Sequence, residues 1–230
     1  MSYYYQENRG GFMSAVPQVT RNLILVNVLI FIATLINEEA MISRFALFYP
    51  TSPYFRWWQV LTHMFMHGSF WHIFFNMYTL FIFGSVVERI LGSKKFLFFY
   101  FVCGLGAAAL HMGVQYIEMQ SFLSSESMVA VQSIAQLKLT PTVGASGAIY
   151  GVLIGYAMLF PDSKMTLLFP PVTLSAKGMV IVFALIELFT GVTGLASGVA
   201  HFAHLGGMLI GWLAIIWWRR RGVLFNRDVI

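Results

Sequence analysis

Three separated stretches of an apolar chain carry the residue types of acyl-transfer chemistry. Ser146 stands in Gly144-Ala145-Ser146-Gly147, His204 in Ala203-His204-Leu-Gly-Gly207, and a His/Asn pair in His72-Ile-Phe-Phe-Asn76. Serine is a poor nucleophile until a base takes its proton. An imidazole, with an unperturbed pKa of about 6.5, is the natural base. His72 and Asn76 lie one helical turn apart and can donate hydrogen bonds to a tetrahedral oxyanion, together with the Ser146 backbone N–H. Tyr150, one turn after Ser146 on the same helix face, is placed to stack against His204 and hold its ring. No Asp or Glu in this layer obviously completes a triad. The expected arrangement is therefore a Ser–His dyad with the imidazole oriented by packing. The expected reaction is acyl transfer to Ser146 followed by hydrolysis, with no cofactor and no metal.

The elements that must position these groups follow from composition. Of 230 residues only 10% are charged, 58% are hydrophobic and 17% aromatic, and the mean hydropathy is +0.74. Soluble domains carry about 25% charged residues. The composition excludes an ordinary soluble enzyme, a disordered chain and a nucleic-acid module, and defines an all-α polytopic membrane protein. The single cysteine, Cys103, lies in an apolar stretch and excludes a disulfide framework.

Charge-free intervals locate the spans. Asn22–Asn37 is an uncharged run of 16 residues, Trp57–Val87 of 31, Phe96–Ile117 of 22 and Leu139–Pro161 of 23. Gly178–Trp218 covers 41 residues with only Glu187 inside, long enough for two helices of about 20 residues each. Six helices are predicted, at approximately 19–37, 70–88, 95–116, 144–160, 177–192 and 200–218. The predicted organisation is a short N-terminal tail over 1–18, a membrane domain over 19–218 and a basic C-terminal tail over 219–230. The first helix lacks a following small-residue cleavage site, which argues against a cleaved signal peptide. Eleven of the 14 Lys and Arg residues fall on the side holding both termini, which is therefore expected to be cytoplasmic.

Depth follows from counting back to the charges that close the even helices. Ser146 precedes Asp162 by 16 residues, His204 precedes Arg219 by 15, and His72 precedes Glu88 by 16. At about 1.5 Å per residue each count is about 22–24 Å. Asn76 lies at about 18 Å. Three helices thus place these polar groups in one layer, where ionisable residues mark function by default. The fourth helix is short for a span, so its N-terminus should begin inside the membrane. Irregular backbone at that depth is tolerated only if buried in protein or lining a wet cavity. Gly147-x-x-x-Gly151 and Gly207-x-x-x-Gly211 supply the small faces that let the fourth and sixth helices approach closely.

These residues resemble the rhomboid family of intramembrane serine proteases. The matching pieces are His67-Gly-Ser-Phe-Trp-His72-Ile-Phe-Phe-Asn76, Phe83-Gly84 through Glu88 to Gly92-Ser93, Gly144-Ala145-Ser146-Gly147, and Ala203-His204-Leu-Gly-Gly207 with Gly211. They cover about residues 56–212, in family order. The resemblance implies a six-helix rhomboid-like bundle with a short, sunken fourth helix. It implies Ser146 as nucleophile, His204 as base, oxyanion help from His72 and Asn76, and stacking from Tyr150. It further implies a Glu38–Gln59 loop lying partly in the outer leaflet and a fifth helix bordering the substrate path. The implied substrates are single-span membrane proteins. Gln59 follows Trp58 where the family often has arginine, and the stretch 118–141 matches no family motif.

The remaining polar residues have plainer readings. His63 and His67 are expected to anchor the loop, and His201 to sit at the pocket rim. Glu187 either lines the path or bonds inside the bundle. Trp57/Trp58 and Trp217/Trp218 read as interfacial anchors. Two competing functions remain: a metal or proton transporter built on the histidines, with His63 and His67 at i, i+4, and a silent rhomboid-like binder of membrane proteins. The short tails favour a bacterial plasma membrane, with the site opening to the outer face and no nucleic-acid partner.

Overall fold

The computed structural model describes residues 15–125, 127–167, 171–195 and 200–224. Most of the expected N-terminal tail, the end of the basic C-terminal tail and part of the Gly191–Gly198 turn lie outside the described residues. The helices are α1 (Gln18–Ile36), α2 (Glu38–Phe45), α3 (Gln59–Thr62), α4 (Phe70–Thr79), α5 (Ser85–Leu91), α6 (Ser93–Leu123), α7 (Met128–Leu139), α8 (Ser146–Leu159), α9 (Ala176–Thr193) and α10 (His201–Arg220). A π-helical turn, Leu80–Gly84, joins α4 to α5, so that Phe70–Leu91 forms one span. Among the described residues five helices are long and apolar enough to cross a membrane; the apolar α8 is shorter. The chain is an all-α polytopic membrane protein apart from one small antiparallel hairpin between α8 and α9. It pairs β1 (Lys164–Thr166) with β2 (Thr173–Ser175), Lys164 opposite Ser175.

The apolar core forms where α4, α5, α6, α8 and α10 meet. Leu80, Phe96, Phe99, Tyr100, Cys103, Val152 and Ile215 are buried there. Small residues set the spacing. A methyl group at Gly207 of α10 would overlap the Gly147 carbonyl of α8, and one at Gly151 would strike Cys103 of α6. With no bulk at these positions the three backbones come into direct contact, and packing replaces the hydrophobic drive that lipid does not supply.

Polar groups pin the ends. Glu88 of α5 accepts from the backbone N–H of Val19 at 3.0 Å and of Thr20 at 2.7 Å. The Thr20 hydroxyl at 2.8 Å and the Ser93 hydroxyl at 2.7 Å also donate to it. It thereby satisfies free N–H groups of the first turn of α1, where a negative charge is favoured. Gln59 is fully buried. Its side-chain amide donates to the carbonyl of Tyr54 at 2.9 Å and its carbonyl accepts from Arg56 N at 3.0 Å. Trp58 Nε1 donates to the Arg44 carbonyl at 2.9 Å. Trp58 and Gln59 thus stitch the α2–α3 loop together.

The stretch 118–141 continues α6 to 31 residues and adds α7, where the sequence pattern ends the third span near residue 116. At about 1.5 Å per residue α6 is about 46 Å long, well beyond a hydrocarbon core of about 30 Å.

Candidate active site

α8 begins at Ser146 and has 14 residues, about 21 Å. The backbone leading to it is irregular yet satisfied. Thr142 exchanges two hydrogen bonds with Leu47, at 2.8 and 2.9 Å, and Gly144 N donates to the His63 carbonyl at 3.0 Å. Gly144 has φ +133°, a conformation open to glycine and strained for other residues. A Cβ there would come within 2.9 Å of His72 Nε2 and 3.4 Å of Ser146 Oγ. Gly144 thus lets the His72 ring approach the serine.

Ser146 Oγ lies 2.8 Å from His204 Nε2. The Tyr150 ring stacks on the His204 ring at 4.3 Å between centroids and 11° between planes. α8 and α10 bring these groups together through the crossing of Gly147, Gly151, Gly207 and Gly211.

The expectation that no carboxylate joins the pair is overturned. Glu187 of α9 places Oε1 at 2.9 Å from His204 Nδ1. The separation is that of an ion pair, although the ring N–H is not aligned well enough to count as a hydrogen bond. Tyr150 donates its hydroxyl proton to the same oxygen at 2.6 Å, and Oε2 lies 2.6 Å from His201 Nδ1. Thr190 Oγ1 also reaches His201 Nδ1, at 3.1 Å. His201 therefore lines the cavity and also bonds Glu187. The depth counts run along the second, fourth and sixth spans and do not reach α9, the fifth. The signal was present: Glu187 is the lone charge in 41 residues that also hold both histidines.

His72 sits in the first turn of α4, its N–H capped by Ser69 Oγ at 3.1 Å. Asn76 is buried one turn on, and its Nδ2 has no partner. An unpaired buried donor is rare and needs a reason. His67 is buried, both ring nitrogens lack partners, and its ring meets that of His72 edge-on at 5.0 Å. His63 bonds the Gln59 carbonyl at 3.0 Å, so the i, i+4 pair forms no shared site. Among the described residues, Glu187, His201 and His204 form the group of three whose donor atoms lie within 4.8 Å of one another.

A cavity of about 800 Å³ opens over Ser146, with His72, His201 and His204 on its wall. α6 and α7 close one side, with Gln115, Glu118, Ser133 and Gln136 facing in. His111, which the sequence pattern did not single out, lines it too and bonds Thr142 Oγ1 at 2.9 Å. Chemically, the arrangement offers a hydroxyl beside an imidazole, a carboxylate behind that imidazole, and a second imidazole, His72, near the hydroxyl. Ser146, His72 and His204 line the cavity.

The Rhomboid domain family matches residues 54–221. The chain is 30% identical over 220 residues to Rhomboid protease AarA of Providencia stuartii, covering 91% of this chain and 75% of that protein. It is 32% identical over 155 residues to the mouse Presenilin-associated rhomboid-like protein, mitochondrial, covering 66% of this chain and 36% of that one. Rhomboid protein 1, mitochondrial, of Saccharomyces cerevisiae is 28% identical over 156 residues, which span 66% of this chain and 39% of the yeast protein. The chain belongs to the rhomboid family.

Proposed function

We propose that the chain is an intramembrane serine endopeptidase that hydrolyses peptide bonds in or near the transmembrane segments of single-span membrane proteins. The observation that carries this reading is the 2.8 Å approach of Ser146 Oγ to His204 Nε2 beneath the cavity. His204 Nε2 takes the Oγ proton as Oγ attacks the scissile carbonyl carbon. The resulting oxyanion accepts hydrogen bonds from the Ser146 N–H, His72 Nε2–H and Asn76 Nδ2. The C–N bond then breaks, and the leaving amine takes the proton from His204. A water molecule, deprotonated by the same nitrogen, releases the acyl group and restores Ser146. The stack of Tyr150 on His204 holds the ring in plane through both steps.

The charge distribution supports both termini in the cytoplasm, with the cavity facing the outer side of a bacterial plasma membrane. The test is reconstitution with a single-span substrate. Wild type cleaves it, and Ser146→Ala and His204→Ala do not. A fluorophosphonate probe labels wild type and not Ser146→Ala. Cleavage by Ser146→Ala at the wild-type rate overturns the reading. Failure of wild type to cleave or label any substrate would favour a silent rhomboid-like binder.

A metal-dependent reading has one observation behind it, the Glu187–His201–His204 cluster. Each of its donor atoms already faces another member of the cluster. The serine reading therefore expects cleavage to be insensitive to EDTA. Loss on chelation with recovery on added zinc would favour the metal.

A further inference from the structure

Glu187 continues the buried stripe of α9. Ala176, Met179 and Val180 are buried below it, Ala176 and Val180 against Leu153, Ala157 and Met208. The spacing puts a hydrophobic residue at 187, and a glutamate stands there with 7% of its surface exposed. Leu185, Ile186, Leu188 and Phe189 around it are exposed to the lipid side. A buried carboxylate is costly unless its partners are excellent, and packing alone would be served as well by leucine. Every side-chain partner of Glu187 lies on the wall or floor of one site: Tyr150, which stacks on His204, then His201 and His204 itself.

We propose that Glu187 is a positioning residue for His204, so that a third helix completes a Ser146–His204–Glu187 relay. The inference rests on the serine-protease reading above. A carboxylate beside Nδ1 selects the tautomer protonated there. That leaves the Nε2 lone pair aimed at the Ser146 hydroxyl. When Nε2 takes the serine proton, the resulting imidazolium has an anion 2.9 Å from its other nitrogen. The Tyr150 hydroxyl and His201 hold the two carboxylate oxygens at 2.6 Å each and fix the direction of that charge. The ring stack alone sets the plane of the imidazole but does not choose which nitrogen carries the proton.

The test uses the full chain in lipid vesicles with a single-span substrate. It compares wild type, Ser146→Ala, Glu187→Gln and Glu187→Asp for kcat, KM and thermal unfolding. A carboxylate removed from behind a catalytic histidine costs about 10⁴-fold in serine proteases that use one. Glu187→Gln is expected to lower kcat at least about 100-fold, with KM and the unfolding midpoint near wild type. Glu187→Asp restores part of the rate, because charge returns at a longer reach. A Glu187→Gln kcat within about 3-fold of wild type overturns the proposal. So does a kcat loss that only tracks a lowered unfolding midpoint and is not relieved by aspartate. Cleavage by Ser146→Ala would instead mark failure of the protease reading itself, whatever Glu187 does.

Discussion

Among the described residues two carboxylates are buried, Glu88 and Glu187, and their partners differ in kind. Glu88 is met by two backbone N–H groups and two hydroxyls, from Val19, Thr20 and Ser93. None of these can exchange a proton with it near neutrality. Glu187 is met by a phenol and two imidazoles. The first environment fixes a charge in order to hold two helices together. The second sets a charge against two imidazoles, one of which touches a serine hydroxyl. Burial and charge are common to both, so neither marks function by itself. The chemistry of the partners separates the carboxylate that joins helices from the one that faces the reacting groups.

Three substitutions probe that separation. The largest effect belongs to the packing beneath both carboxylates. Gly207→Val forces a side chain into the Gly147 carbonyl, so α8 and α10 cannot meet. The expected outcome is loss of the folded species in detergent, seen as a missing thermal transition and no probe labelling. A well-folded, active Gly207→Val protein would show that the glycine crossing is dispensable. Next comes Asn76→Ala, which removes a proposed oxyanion donor. It is expected to lower kcat about 10²–10³-fold, or about 2.7–4 kcal/mol of transition-state stabilisation. Thermal stability should hold, because Asn76 Nδ2 has no partner to lose. A kcat equal to wild type removes Asn76 from the site. The smallest effect on the reaction is that of Glu88→Gln. It is expected to cost about 2 kcal/mol of stability through weakened charged hydrogen bonds, with kcat per folded molecule unchanged. A kcat loss there comparable to that of Glu187→Gln would erase the distinction between the two carboxylates.

Much of the architecture was legible because charge is scarce. The 23 charged residues bracket the spans, and the ends of the six predicted spans fall within a few residues of the observed helix ends for all but α6. The same charges served as rulers that put Ser146, His204 and His72 at one depth, and the structure brings Ser146 and His204 to 2.8 Å. Three features escaped. Glu187 lies on the fifth span, outside the three helices whose closing charges serve as rulers. The role of Gln59 is tertiary: its amide reaches across the α2–α3 loop to Tyr54, a contact that no local spacing encodes. α7 turns Met128, Val129 and Val131 outward and sets the polar Ser133 and Gln136 beside Leu137 on the cavity side, so apolar residues do not mark its inner face. Its pattern therefore gives no amphipathic signal to separate it from a loop.

The seal around Cys103 has a practical consequence. It is the chain's single thiol, fully buried where α6 meets α8 and α10. Sulfhydryl reagents in water or lipid therefore have no native target in the folded protein. One cysteine introduced on an exposed position of α9, such as Leu185 or Val192, would be the sole reactive thiol without any background replacement. The native sequence is thus ready for single-site spin or fluorescence labelling of the helix that carries Glu187, and its motion could be followed in the unmodified active-site background.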